Sequence, residues 1–102
     1  MSRNFLIVDP VEGLDVLKAF ASSARIAILK LLHEDGAMNV NEIALRLDRS
    51  QSSVSSNVQV LEDAGLIRTE TQRARKGNQK ICHTLFDEVL VMFKKVSEFG
   101  QP

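Results

Sequence analysis

The stretch NVNEIALRLDRSQSSVSSNVQVLEDAG, residues 39–65, limits what this chain can fold into more than any other. Asn39 is placed to accept a hydrogen bond from the orphan amides of a helix start. Glu42, three residues on, is placed to reach back, a capping-box spacing with Asn in the position of Ser or Thr. Val40, Ile43, Ala44 and Leu47 then recur at the spacing of one buried helical stripe. Asp48, Arg49 and Ser50 interrupt the stripe: Asp tolerates turn geometry, and Ser50 is placed to cap a second helix. Beyond them Val54, Val58 and Leu61 form a second stripe, and Ala64 and Leu66 continue its apolar edge. Gly65 supplies the left-handed residue of a C-cap. The expectation is a helix, a tight turn and a second helix, each apolar on one side.

The second helix turns Gln51, Ser52, Ser55, Ser56 and Gln59 away from its stripe, with Asn57 on a flank. These short, uncharged hydrogen-bonding groups can address base edges or phosphates in a major groove, and Gln can bond adenine in bidentate fashion. A Ser-rich helix face can equally be plain solvated surface, so the segment after it carries weight. After Gly65 the period changes. Residues 66–72 hold β-branched side chains with no helical stripe, residues 73–78 hold charges and Gly77-Asn78, and residues 79–84 return with Ile81 and Thr84. This pattern predicts a hairpin with a basic tip. Arg68, Arg73, Arg75, Lys76 and Lys80 stand against Glu70 alone, a local net +4 in a chain of formal net charge +0. Such cations, directly after a polar helix, suit contacts to phosphates or a narrow minor groove.

At 102 residues the chain makes one domain with a modest core, which an obligate dimer would help to complete. Its one cysteine rules out an internal disulfide framework and suits a reducing compartment. The apolar runs are far short of a membrane span and the amino terminus has no signal-peptide pattern, so a cytoplasmic location is expected. Cys82 and His83 are adjacent in a predicted strand and point to opposite faces, which argues against joint chelation. No Cys or His spacing elsewhere completes a metal site, and Cys82 is expected to be a buried structural residue. No metal or other cofactor is expected. An enzyme is also disfavoured, because the chain has neither a phosphate-cradling glycine loop nor a recognisable Ser-His-Asp set.

Outside the central pair, Val11, Leu14, Leu17 and Ala21 predict a helix over 11–21, and Val16 and Phe20 give it a second apolar line. That is more apolar surface than one core contact uses. Ser22-Ser23 break this helix and can cap the next, over 24–33, where Ile26, Ile28, Leu29, Leu31 and Leu32 mark a mostly buried strut. His33 near its end suits the helix dipole. Residues 5–8, closed by Asp9-Pro10, are too few to type and fit a strand, a helical turn or an arm across a partner. A terminal helix is predicted over about 85–99. Leu85, Val89, Met92, Val96 and Phe99 form one line on it, and Phe86, Leu90 and Phe93 another. Two lines on a terminal helix favour symmetric pairing with a second copy.

The run LKAFASSARIAILKLL (17–32), the run NEIALRLDRSQSSVSSNVQVLEDAGLI (41–67) and the hairpin after them resemble the winged helix-turn-helix repressors of the ArsR type. The likeness covers nearly the whole chain. It implies a mainly α, dimeric winged helix-turn-helix fold with a β-hairpin wing: one domain over 1–102, the helix-turn-helix at about 39–65, the wing at about 66–84 and a terminal dimerisation helix at about 85–99. It further implies a homodimer paired through its first and last helices, with Leu14, Leu17, Phe86, Val89, Leu90, Phe93 and Val96 at the interface. Residues 51–64 would enter the major groove of double-stranded DNA, and the protein would regulate transcription, as a repressor on an inverted-repeat operator. Two departures matter. Metal-sensing relatives carry paired cysteines where this chain has Asn39-Val40-Asn41-Glu42, and others carry His and Asp ligands on the terminal helix; neither set is present, so metal sensing does not carry over. Many relatives also have a basic or His residue where this chain has Ser56 and Asn57, which leaves more of the phosphate attraction to the wing. The rival reading is a winged-helix module that binds protein without sequence-specific DNA affinity.

Overall fold

A computed structural model describes residues 4–94. The chain runs β1 (Phe5–Val8), α1 (Leu14–Ala19), α2 (Ser23–Asp35), β2 (Met38–Asn39), α3 (Val40–Leu47), α4 (Gln51–Asp63), β3 (Ile67–Ala74), β4 (Gly77–Thr84) and β5 (Glu88–Val91). β3 and β4 form an antiparallel hairpin from Ile67↔Thr84 to Ala74↔Gly77, and β2 adds to its other edge through Met38↔Cys82. β1 and β5 form a separate parallel pair. Among the described residues, no helix is long and apolar enough to cross a membrane.

Local capping chemistry sets the helix boundaries. Ser22, Asn39 and Ser50 each have extended backbone, and each side chain accepts the amide three residues on, from Arg25, Glu42 and Ser53 respectively. Half of the expected capping box forms: Glu42 pairs with Arg46, one turn along α3, at 3.7 Å. Between α3 and α4 the chain reverses through Asp48 in the left-handed region (φ 53°, ψ 50°), with the Arg49 amide bonded to the Ala44 carbonyl at 2.9 Å. Gly65 (φ +78°) closes α4, and its neighbour Leu66 donates to the Leu61 carbonyl at 3.0 Å.

The core joins α2, α3 and α4 to the β3–β4 hairpin. Ile28 and Leu32 of α2, Ile43 of α3, Val54, Val58 and Leu61 of α4, Ile67 of β3 and Cys82 of β4 are fully enclosed. The stripes expected on α3 and α4 are therefore the faces that are buried.

Two sequence expectations are corrected. The first helix begins at Leu14 rather than Val11, because the Asp9 carboxylate takes the amides of Val11 (2.8 Å) and Glu12 (3.4 Å) into a turn. More consequential, the terminal helix expected over about 85–99 does not form where the chain is described. Glu88–Val91 is a strand, paired Phe5↔Glu88 through Val8↔Val91, and residues 95–99, with Val96, lie outside the described residues. Asp87 secures the entry to this strand: its carboxylate accepts the Asn4 amide at 2.8 Å, its amide donates to the Asn4 carbonyl at 2.7 Å, and its other oxygen lies 3.1 Å from His33 Nε2. Val89-Leu90-Val91 is a short apolar run that fits either period, and the segment at 5–8 supplies the backbone partner that selects a strand.

The left-handed residue between α3 and α4 gives a direct check. Asp48→Val should destabilise the protein by about 1–2 kcal/mol in urea unfolding, while Asp48→Gly should be neutral or stabilising.

Candidate nucleic-acid interface

With Val54, Val58 and Leu61 directed inward, α4 exposes Gln51, Ser52, Ser55, Ser56 and Gln59. The partners of Gln51, Ser56 and Gln59 lie within α3 and α4 themselves. Ser56 Oγ donates to the Ser52 carbonyl at 3.2 Å, Gln59 Nε2 donates to Asp63 at 2.8 Å, and Gln51 donates to Asn41 at the start of α3. Asn39, which caps α3, also donates to Gln79 of β4 at 3.2 Å. The start of α3 thus touches both the start of α4 and the wing, a link with no local signal in the sequence.

Asn57 differs from the other five residues. It is half-buried, its amide nitrogen donates to the Ser53 carbonyl at 3.0 Å, and its oxygen accepts from Arg25 Nη1 at 3.1 Å. Arg25 also donates from Nε to the Ala19 carbonyl (2.8 Å) and from Nη2 to the Lys18 carbonyl (3.3 Å). One guanidinium therefore ties the end of α1 to the middle of α4, using the planar fork that suits several acceptors at once. Asn57 is placed as a positioning residue rather than a group facing outward. Arg25 escapes a reading of the sequence because its acceptors include two backbone carbonyls and a side chain 32 residues away.

The five basic wing residues divide into two groups. At the base, Arg68 lies 3.8 Å from Glu70, which also sits 2.9 Å from His83 Nε2, and Lys80 lies 3.7 Å from Glu62 of α4. Glu62 further accepts the Thr69 amide at 3.1 Å, so this pairing docks the hairpin on the helix. At the tip, Arg73, Arg75 and Lys76 are exposed and make no ion pair among the described residues. Arg75-Lys76 form the turn itself, which Gly77 completes at φ +105°. The exposed Arg68–Glu70 pair contributes little to stability, whereas Lys80–Glu62 is half-buried. Together they leave the uncompensated charge at the tip.

Cys82 is fully enclosed opposite Thr69, and His83 is on the other face of the strand, as adjacent residues must be. Burial pushes the thiol up from 9.0 to about 11; the nearby Lys80 opposes this and Glu62 adds to it. Among the described residues, no three His, Cys, Asp or Glu side chains converge as a metal site.

The fold that sets this polar helix beside a cationic hairpin recurs in proteins similar to this chain. A family model described as HVO_A0114 matches residues 21–91. The chain belongs to that family. The HTH-type transcriptional regulator MJ1325 of Methanocaldococcus jannaschii is 31% identical over 87 residues, 85% of this chain and 93% of that protein. The ArsR family transcriptional regulator RHA00566 superposes with a TM-score of 0.60 at 30% identity, covering 76% of this chain and 77% of that one. The winged helix-turn-helix DNA-binding domain of Mb0332 from Mycobacterium bovis, a homodimer and a possible ArsR-family regulator, superposes with a TM-score of 0.62 at 25% identity. It covers 72% of this chain and 65% of that one. This member of the HVO_A0114 family is thus a winged helix-turn-helix transcriptional regulator of the ArsR type, a non-enzymatic class.

Arg25→Ala should lower stability by about 1–3 kcal/mol in urea unfolding, and Arg25→Lys should restore little of it, because an ammonium cannot span the three acceptors. For Cys82 the sign follows from the raised value. The unfolded thiol ionises above about pH 9 while the folded one stays protonated to about 11, so stability is full below pH 9 and falls between the two. Thermal melts from pH 8 to 10.5 check this: Cys82→Ala should flatten the loss over that window.

Proposed function

We propose that this regulator is a repressor that binds an inverted-repeat operator in double-stranded DNA as a homodimer. The observation that carries the reading is the pairing of one exposed, uncharged polar face on α4 with three uncompensated cations at the wing tip. In it, Gln51, Ser52, Ser55, Ser56 and Gln59 contact base edges and adjacent phosphates, while Arg73, Arg75 and Lys76 hold the backbone or enter the minor groove. Arg68 and Lys80, paired at the wing base, contribute field rather than contacts. Asn57 supports the helix through Arg25.

Two reading helices roughly 34 Å apart would meet successive major grooves on one side of the duplex. Dimerisation is supported by the apolar surface left at α1, at β5 and just after β5. Leu14 is 48% exposed, Leu90 50% and Phe93 89%. Leu17, Phe86 and Val89 line an apolar groove of about 700 Å³ beside them. A two-stranded parallel ribbon such as β1–β5 is also poorly stabilised alone, since parallel strands are normally covered on both faces. The homodimeric state of Mb0332 is consistent with this assignment. Repression would follow from occupying a promoter.

Selection from random duplex, read by fluorescence anisotropy over a salt series, tests the proposal. An enriched inverted repeat is the expected result, and a folded dimer with no salt-sensitive affinity for DNA would falsify it. Replacing Arg73 and Arg75 by Ala should weaken binding to every sequence and lower the salt slope by about two per copy. Gln51→Ala should chiefly change which operator is preferred.

A further inference from the structure

Most cations near the helix-turn-helix are already engaged. Arg46 of α3 pairs with both Asp35 and Glu42, Lys30 with Glu34, Lys80 with Glu62 and Arg68 with Glu70, while Arg25 is occupied by carbonyls and Asn57. Arg49 is the exception in the turn. It is exposed and makes no ion pair or side-chain hydrogen bond among the described residues. Its backbone is nonetheless fixed on both sides: its amide is bonded to the Ala44 carbonyl at 2.9 Å, Asp48 before it holds the left-handed conformation, and Ser50 after it caps α4. A cation on rigid backbone, two residues before Gln51, loses little chain entropy when it meets a ligand.

We propose that Arg49 is a phosphate-binding residue that holds the DNA backbone beside the groove entered by α4, setting the depth and register at which Gln51 and Ser52 reach base edges. The inference rests on the DNA-binding reading above and adds to it a second anchor, independent of the wing. Arg49 sits at the turn end of the reading helix, whereas Arg73, Arg75 and Lys76 sit on the hairpin that follows that helix's other end. Backbone contacts on both sides fix orientation without reading sequence, which is the division of labour between phosphate and base contacts. The short side chains at Ser52, Ser55 and Ser56 need such fixing, because they reach a base only when the helix lies close. Arg46, one turn earlier and already paired to two carboxylates, is the internal control.

The test is anisotropy binding of the full chain to a random-sequence duplex and to a selected operator, from 50 to about 300 mM salt. Arg49→Ala should weaken both by about tenfold at low salt and reduce the salt slope by about one per copy, with an unchanged thermal melt. Arg49→Lys should recover most of the affinity, and Arg46→Ala should leave the slope unchanged. If Arg49→Ala retains wild-type affinity and slope while the Arg73/Arg75 variant loses both, the Arg49 assignment is wrong and the wing reading stands. A variant that changes operator preference at constant slope would also overturn it, making Arg49 a base contact. If the wild-type chain binds no duplex at low salt, it is the DNA-binding reading itself that fails.

Discussion

The packing of one stripe, Val54, Val58 and Leu61, against Ile28, Leu32 and Ile43 governs everything this protein presents to a partner. All six side chains are fully enclosed or nearly so, and their burial fixes the rotation of α4 about its own axis. Given that rotation, no further choice remains about which side chains face out. A helix with 3.6 residues per turn and these three positions inside must expose positions 51, 52, 55, 56 and 59. The chemistry of the face therefore depends on apolar contacts on the opposite side of the helix.

Polar contacts add to this packing at two points along the helix. Arg25 bridges the carbonyls of Lys18 and Ala19 to Asn57 at the middle of α4, and Glu62 near its end takes both the Thr69 amide and the Lys80 ammonium. The first contact sets the helix against α1 and α2, and the second sets the wing against the helix. The polar face of α4 and the wing tip are thus held in one frame. A neutral chain can in this way expose a concentrated positive surface. Acidic partners neutralise Arg46, Arg68 and Lys80 and leave the tip uncompensated, so the distribution of charge rather than its sum suits a polyanion.

Much of the fold was legible in the sequence because its signals are local. Ser22, Asn39 and Ser50 lie within three residues of the amides they cap, and Asp48 and Gly65 take left-handed backbone that few residues tolerate. The tip cations were legible as well. The terminal segment was not. Leu85, Val89 and Met92 keep a helical spacing, yet Val89-Leu90-Val91 also satisfies a strand, and what decides is the backbone of residues 5–8, more than eighty positions away. No window-based reading contains that partner. The roles of Asn57 and Arg25 were hidden for the same reason, since their bond joins two helices far apart in the chain.

What the sequence determined by itself is each element whose energy comes from neighbours a few residues apart: the caps, the turn at Asp48, the single apolar side of α3 and α4, and the concentration of Arg and Lys in the hairpin. Only the tertiary structure decided which of two admissible periods residues 88–91 adopt, which cations are neutralised and which residue supports α4 rather than forming its surface. Those outcomes depend on pairings between distant segments. Their free energy exists once the chain has closed the intervening loops, so it leaves no periodic trace in the sequence.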